Sequence, residues 1–97
     1  MHGMEIDERN DDYVVTFEIP GIKEENIMIK TEGNSLNVIA INEKVTTEMK
    51  EGKVEINYNS VLYDKTACLE HPDFSKMEYN FFASWLEVIV PKKKAGN

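Results

Sequence analysis

The chain has little of several features on which whole classes of protein depend. Its 97 residues include one cysteine, Cys68, so an internal disulfide is excluded and a reducing compartment is favoured. No run approaches the roughly 18 apolar residues of a membrane-spanning helix, and no short apolar segment follows a basic N-terminus. We therefore expect a cytoplasmic protein that does not bind membranes.

Positive charge is also scarce. Eleven Lys and Arg residues stand against eighteen Asp and Glu, which gives a formal net charge of −7, and Arg9 is the single arginine. A field of this sign repels phosphate backbones, so we expect no nucleic-acid partner. We interpret the short basic run Lys92–Lys94 as a solubilising tail.

Groups that carry out catalysis or hold metals are missing from the sequence pattern. His71 has neither a nearby nucleophile nor a second histidine at ligand spacing, and no glycine-rich phosphate loop occurs. The acidic residues Asp7, Asp11 and Asp12 lack the glycine and the closing glutamate of an EF-hand loop. We expect no enzymatic activity, no cofactor and no metal site.

Helical periodicity is absent, and an apolar period of two takes its place. Tyr13–Ile19 alternates as a strand with one buried face and stops at the turn Pro20-Gly21. Ile27–Glu32 repeats the pattern. The turn at Gly33-Asn34 leads into Leu36–Asn42, which is apolar on both faces and is predicted to be a central strand covered on both sides.

The rest of the chain continues the strand pattern. A weak edge strand is predicted over Met4–Glu8, and Glu43–Gly52 reads as a polar link. The later predicted strands are Val54–Tyr58, Val61–Leu69, Met77–Phe81 and Trp85–Val90. Seven or eight short strands predict an all-β, two-sheet antiparallel sandwich of immunoglobulin-like type. We expect one domain over 4–93, an appended remnant or a disordered N-terminus at 1–3, and a disordered tail at 94–97.

Two segments carry a resemblance to a known family. In the first segment, a strand ends in Ile19-Pro20-Gly21, and an acidic link leads to a second strand, which is followed by the turn at Gly33-Asn34 and by Leu36-x-Val38. This order of elements resembles the α-crystallin domain of small heat-shock proteins. Ser84–Lys92 is similar to that family's closing Gly-Val-Leu-x-Val-x-hydrophobic-Pro-Lys strand. The resemblance spans about Glu5 to Lys93. It implies a homodimeric, ATP-independent chaperone (holdase) that binds partly unfolded client proteins or apolar peptide segments.

The chain departs from the family pattern at several positions. Lys65 occupies the place of an arginine that supports the family's dimer interface, and Ala67 replaces an aromatic residue. Ser84 replaces a glycine, so we expect a different turn type before the last strand. The family's C-terminal Ile-x-Ile motif is not found, and we expect a core domain, either part of a longer protein or an unusually short member.

The resemblance implies a peptide-binding groove between two strands, Asn26–Glu32 and Met77–Phe81. Carried over by position, its lining residues are Ile29, Thr31, Met77 and Tyr79. Tyr79 replaces a small residue of the family and is expected to narrow the groove or pack across it.

A dimer interface is expected on the far side of the polar link. A short apolar strand that follows a long polar segment is not stable alone and has to pair with another strand. An edge strand of an identical chain can provide this pairing. The residues assigned to this interface are Val54, Ile56, Tyr58 and Lys65.

A second function remains open from the sequence. The related CS domains form a similar sandwich and dock on an ATP-driven chaperone instead of holding clients. The predicted strand Val54–Tyr58 favours the holdase, because CS domains generally lack it.

Overall fold

The computed structural model describes residues 3–41, 45–47, 56–58 and 61–94. In these ranges the strands are β1 (Met4–Glu8), β2 (Asp12–Glu18), β3 (Ile27–Glu32), β4 (Ser35–Ile41), β5 (Val45–Thr47), β6 (Ile56–Tyr58), β7 (Val61–Cys68), β8 (Glu78–Phe82) and β9 (Trp85–Pro91). Short 3-10 helices occupy Glu24–Asn26 and Phe74–Lys76. No helix within the described ranges has the length and apolarity needed to cross a membrane.

Antiparallel pairing groups these strands into two main sheets. One has four strands in the order β1-β2-β9-β8, and the other has three in the order β3-β4-β7. Residues from both sheets form one buried apolar cluster, and the rings of Phe17 and Tyr63 meet edge to face across it with centroids 6.5 Å apart. The predicted all-β sandwich is therefore confirmed.

The period of two places alternate side chains of β2, β4 and β9 in the core. The fully buried residues with the largest side chains are Phe17, Ile19, Leu36, Leu86, Val15, Val38, Val88 and Val90. Each side chain of this kind stabilises the fold by about 1.5–3 kcal/mol through removal from water. The alternation seen in the sequence thus identifies the inner faces correctly.

The prediction that β4 is covered on both sides is wrong. β4 is the central strand of its sheet, and Leu36, Val38 and Ala40 are buried as expected. Ile39 and Ile41 are only half-buried, because they lie on the outer face of the sheet. Only one face of this strand therefore packs into the core formed by the described residues.

The segment predicted as a polar link contains a strand. β5 pairs antiparallel with β6, and Val45 lies opposite Tyr58. The β-branched residues of Val45–Thr47 favour extended backbone even where no alternation marks a buried face. Ile56 and Tyr58 belong to β6 as predicted, whereas Val54 lies outside the described residues.

The prediction of a different turn type at Ser84 is also wrong. Ala83 and Ser84 have φ of 46° and 73°, and they join β8 to β9 through a two-residue loop. Hairpins of this length need positive φ because that twist matches the twist of the flanking strands. The Ile19 N–H donates a hydrogen bond of 2.7 Å to the Ser84 carbonyl, which helps to hold the turn without glycine.

Candidate functional site

A cavity opens at one side of the sandwich, between two edge strands of different sheets. β3 is an edge of the three-stranded sheet, and β8 is an edge of the four-stranded sheet. The cavity measures about 190 Å³. Its lining residues are Glu24, Ile27, Ile29, Tyr79 and Leu86.

The register of β3 explains the apolar wall of this cavity. Ile27 lies opposite Ala40 and Ile29 lies opposite Val38, and both partners are buried. Because opposite residues of antiparallel strands share a face, both isoleucines point to the inner side of the sheet. They are nevertheless only half-buried, since β3 is an edge strand.

Tyr79 forms the facing wall. It lies opposite the buried Val88 and therefore points inward, yet 51% of it is exposed. Tyr79 borders the cavity, and the expectation that it narrows the groove or packs across it stays a prediction. An exposed aromatic ring beside aliphatic side chains is free to contact an apolar ligand.

Two of the four residues assigned to the groove from the sequence do not line this cavity. Thr31 is exposed near the end of β3, and Met77 is half-buried and packs against the core just before β8. The structure brings Ile29 and Tyr79 together across the gap between the sheets.

Three lining residues were not assigned from the sequence. Ile27 could have been found, because it lies two residues before Ile29 and shares its face. Leu86 gave no such signal, since it reaches the cavity from β9 through tertiary packing. Glu24 lies in the 3-10 helix that precedes β3 and brings a carboxylate to the cavity.

The size and lining of the cavity limit what it can bind. Pockets for drug-sized ligands or cofactors measure about 300–1,000 Å³, whereas an apolar cavity of about 150 Å³ holds a single benzene. The cavity is therefore large enough for one or two apolar side chains. No group of three or more His, Cys, Asp or Glu side chains that could hold a metal ion occurs among the described residues.

The two flanking strands add a second kind of contact. An edge strand presents a row of backbone N–H and C=O groups that can pair with another strand. An extended peptide laid along β3 or β8 would form main-chain hydrogen bonds while its side chains enter the cavity. The geometry thus suits an extended apolar segment.

The residues assigned to the dimer interface lie apart from this cavity along the chain and in the sheets. Lys65 is exposed on β7, the opposite edge of the sheet that contains β3. It lies opposite the buried Val38, so it is an inward-facing charge on an edge strand, which discourages unspecific edge pairing. Ile56 and Tyr58 lie in β6, which uses one edge to pair with β5.

Ion pairs near the N- and C-terminal ends of the sandwich hold β1 to β2 and β9. The ammonium of Lys92 donates a hydrogen bond of 2.8 Å to Glu8 Oε2, and this bond raises the pKa of Lys92. Arg9 makes two hydrogen bonds to the Asp12 carboxylate across the β1–β2 turn, and they lower the pKa of Asp12. Both pairs are exposed to solvent, so they contribute little to stability at physiological salt.

Comparisons with known proteins agree with the fold. The model of the Hsp20/alpha crystallin family matches residues 5–97. The 18 kDa heat shock protein of Clostridium acetobutylicum is 26% identical over 97 residues, and the match covers 96% of this chain and 63% of that protein. The chain thus spans less than two thirds of the length of this relative.

Solved structures share the fold. A small heat-shock protein from Xylella fastidiosa matches with a TM-score of 0.72 and 17% identity, covering 100% of this chain and 90% of that one. Heat shock protein 16.0 from Schizosaccharomyces pombe matches with a TM-score of 0.71 and 22% identity, covering 99% of this chain and 90% of that one. At these identities the likeness establishes a common sandwich architecture.

Proposed function

The chain belongs to the Hsp20/alpha crystallin family, and from this membership we propose that its domain over 4–93 is an ATP-independent chaperone of the holdase type. It binds partly unfolded proteins through apolar segments that enter the groove between β3 and β8. The observation that supports this most directly is the cavity where Ile29 and Tyr79 meet across two edge strands.

The ligand that fits best is an extended segment with branched aliphatic residues two positions apart. Alternate residues of an extended chain lie on one face, so an Ile-x-Ile segment presents two side chains to the same cavity. Ile27 and Ile29 present the same spacing from β3. Burial of these apolar groups drives binding and requires no nucleotide hydrolysis.

We also propose that the protein acts as a cytoplasmic homodimer. β6 is three residues long, and its pairing with β5 leaves one edge for a strand of another chain. A two-stranded ribbon is marginally stable alone, so pairing with an edge strand of the partner would stabilise it. The β5–β6 hairpin favours the holdase over the CS-domain alternative, because CS domains generally lack a strand at this place.

A light-scattering assay of a heat-unfolded client protein tests the proposal. We expect the protein to suppress aggregation without nucleotide and Ile29→Glu to remove most of this effect, because a carboxylate in the cavity opposes apolar contacts. Met28→Glu is the matched control, since Met28 is the adjacent residue and 40% exposed on the outer face of the same strand. Circular dichroism establishes that both variants are folded. Protection that appears only with ATP, or equal loss in both variants, contradicts the proposal.

A further inference from the structure

We propose that the outer face of the four-stranded sheet is a second docking surface, which binds an extended polypeptide segment rich in Lys or Arg. We call it the acidic sheet face. It consists of the exposed aromatic residues Phe82 and Trp85, the half-buried apolar residues Val14 and Ile89, and the carboxylates of Glu5, Asp7, Asp12, Glu18, Glu78 and Glu87. This surface lies on the other side of the sheet from the cavity at Tyr79 and goes beyond the proposed function.

An aromatic pair forms one end of this face. Phe82 and Trp85 lie directly opposite each other on β8 and β9, and Trp85 lies opposite Glu18 on β2. The neighbouring residues Leu86 and Phe17 are buried, so all three members of this row point to the outer side. Phe82 is 57% exposed and Trp85 38% exposed. The two rings and the carboxylate are therefore presented together to solvent.

The following two rows add carboxylates to this face. Glu87 and Glu5 flank Thr16 in the second row. In the third row, the apolar pair Val14 and Ile89 lies between carboxylates of the two edge strands, Asp7 on β1 and Glu78 on β8. Carboxylates thus lie beside the aromatic pair of the first row and on both sides of the apolar pair of the third row.

Charge determines which partner fits. None of the outward positions on the described strands β1, β2, β8 and β9 carries Lys or Arg. Within the described ranges, Arg9 in the β1–β2 turn pairs with Asp12 at the end of this face, and the charges of Asp7 and Glu87 also raise the pKa of Arg9. The carboxylates of Glu5, Glu18 and Glu78 lie away from this arginine and are available to a cationic ligand, whereas a negatively charged or phosphate-bearing ligand is repelled.

A Lys- or Arg-rich extended segment matches both features of the face. Its cationic groups can pair with Glu18 and Glu87 and lie over the ring of Trp85, the aromatic residue that binds cations best. Its apolar residues can cover Val14 and Ile89. A second copy that docks through the same face is disfavoured, because the outward positions of the described strands of this sheet carry carboxylates and no Lys or Arg. We therefore expect the acidic sheet face to bind segments rich in Lys or Arg, whereas the groove between β3 and β8 binds apolar segments.

Trp85 is the only tryptophan of the chain, so its fluorescence reports on this face directly. The test titrates the protein with a synthetic peptide that alternates Lys with Val and Phe, beside a peptide with Glu at each Lys position. We expect a saturable change in Trp85 emission with the Lys peptide, lost near 1 M salt, where the Debye length falls to about 3 Å. The Glu peptide should leave the emission unchanged.

Variants locate the contact. Glu18→Gln and Glu87→Gln should each weaken binding of the Lys peptide by about two- to fivefold, the range expected for one exposed ion pair. Glu32→Gln, which removes an exposed carboxylate from the outer face of the other sheet, should not change it. Ile29→Glu should also leave it unchanged, so a failure of the groove is distinguishable from a failure of this face.

Three results would overturn the proposal. The first is equal binding of the Glu peptide, and the second is equal affinity of the Glu18→Gln, Glu87→Gln and Glu32→Gln variants. The third is a change in Trp85 emission with protein concentration alone, together with a mass above that of the proposed β6-mediated dimer, which Glu18→Gln returns to the dimer mass. That result would assign the face to a second copy of the chain.

Discussion

The phenolic hydroxyl of Tyr13 donates a hydrogen bond of 2.9 Å to the carbonyl oxygen of Glu70 and accepts one of 3.1 Å from the Glu70 N–H. Tyr13 is buried at the start of β2, and Glu70 lies in the turn that follows β7. The pair therefore connects the two sheets through both polar groups of one residue's backbone.

Tyr13→Phe should destabilise the protein by about 1–3 kcal/mol, because it removes two hydrogen bonds worth about 0.5–1.5 kcal/mol each. Urea denaturation followed by circular dichroism measures this change. Tyr79→Phe is the control, since Tyr79 is 51% exposed and should lose less than about 0.5 kcal/mol. Equal midpoints for the two variants would show that the Tyr13 hydroxyl does not stabilise the fold.

The turn at Ser84 predicts a stabilising substitution. Ser84 has φ of 73°, a conformation that costs a residue with Cβ about 1–2 kcal/mol and costs glycine almost nothing. Ser84→Gly should therefore raise the free energy of unfolding by about 1 kcal/mol. Thermal denaturation should show a higher midpoint.

Gly33→Ala, in the turn between β3 and β4, is the reciprocal control for Ser84→Gly. Gly33 has φ of 57°, and a Cβ built there meets no atom within 4 Å, so the cost is in the backbone alone. The variant should lose about 1 kcal/mol. A rise in stability for Gly33→Ala, or a loss for Ser84→Gly, would contradict the role assigned to positive φ.

The inner faces of the sandwich could be predicted from the sequence, whereas the cavity could be predicted only in part. A period of two assigns Phe17, Val38 and Val88 to one face each, because alternation is a local property of a strand. Alternation does not say which strands from different sheets meet, so the contribution of Leu86 to the cavity was missed. Met77 was assigned to the groove by position, and it is not among the residues that line the cavity.

The missed strand β5 has a different cause. Val45–Thr47 pairs with β6 in a ribbon of its own, outside the two main sheets. Binary patterning detects strands through their buried face, and this segment shows no alternation. β-propensity was the one signal available, and it is weak over three residues.

The Arg9–Asp12 pair predicts a change in stability at acid pH. Hydrogen bonds from Arg9 lower the pKa of Asp12 in the folded state. A lowered pKa contributes stability that is fully present above the unfolded value, about 3.9, and is lost as pH falls through the folded value. Asp12→Asn and Arg9→Gln should therefore both reduce the fall in stability below about pH 4, by a small amount at low salt because the pair is exposed to solvent.

Urea midpoints measured from neutral to acid pH test this prediction. The double variant Asp12→Asn/Arg9→Gln should resemble each single variant, since the effect belongs to the pair. An unchanged acid dependence in Asp12→Asn, or additive effects in the double variant, would show that the pair does not govern it.

The proposed dimer predicts the result of a deletion. Removing Glu48–Asn57 deletes most of β6 together with the segment before it, so the chain loses the strand that is proposed to pair with the partner. Analytical ultracentrifugation should show a dimer for the intact chain and a monomer for the deletion. Amide spectra should show that the core of the monomer is retained, and an unchanged dimer mass would contradict the exchange of this strand.

The most direct test of the groove is an NMR titration with a short Ile-x-Ile peptide. We expect saturable shifts in the amide signals of Ile27, Ile29 and Tyr79, which line the cavity. Ile29→Glu should abolish them, and Met28→Glu on the outer face of the same strand should retain them. Shifts confined to residues outside β3, β8 and the cavity lining would contradict the proposal that apolar segments bind here.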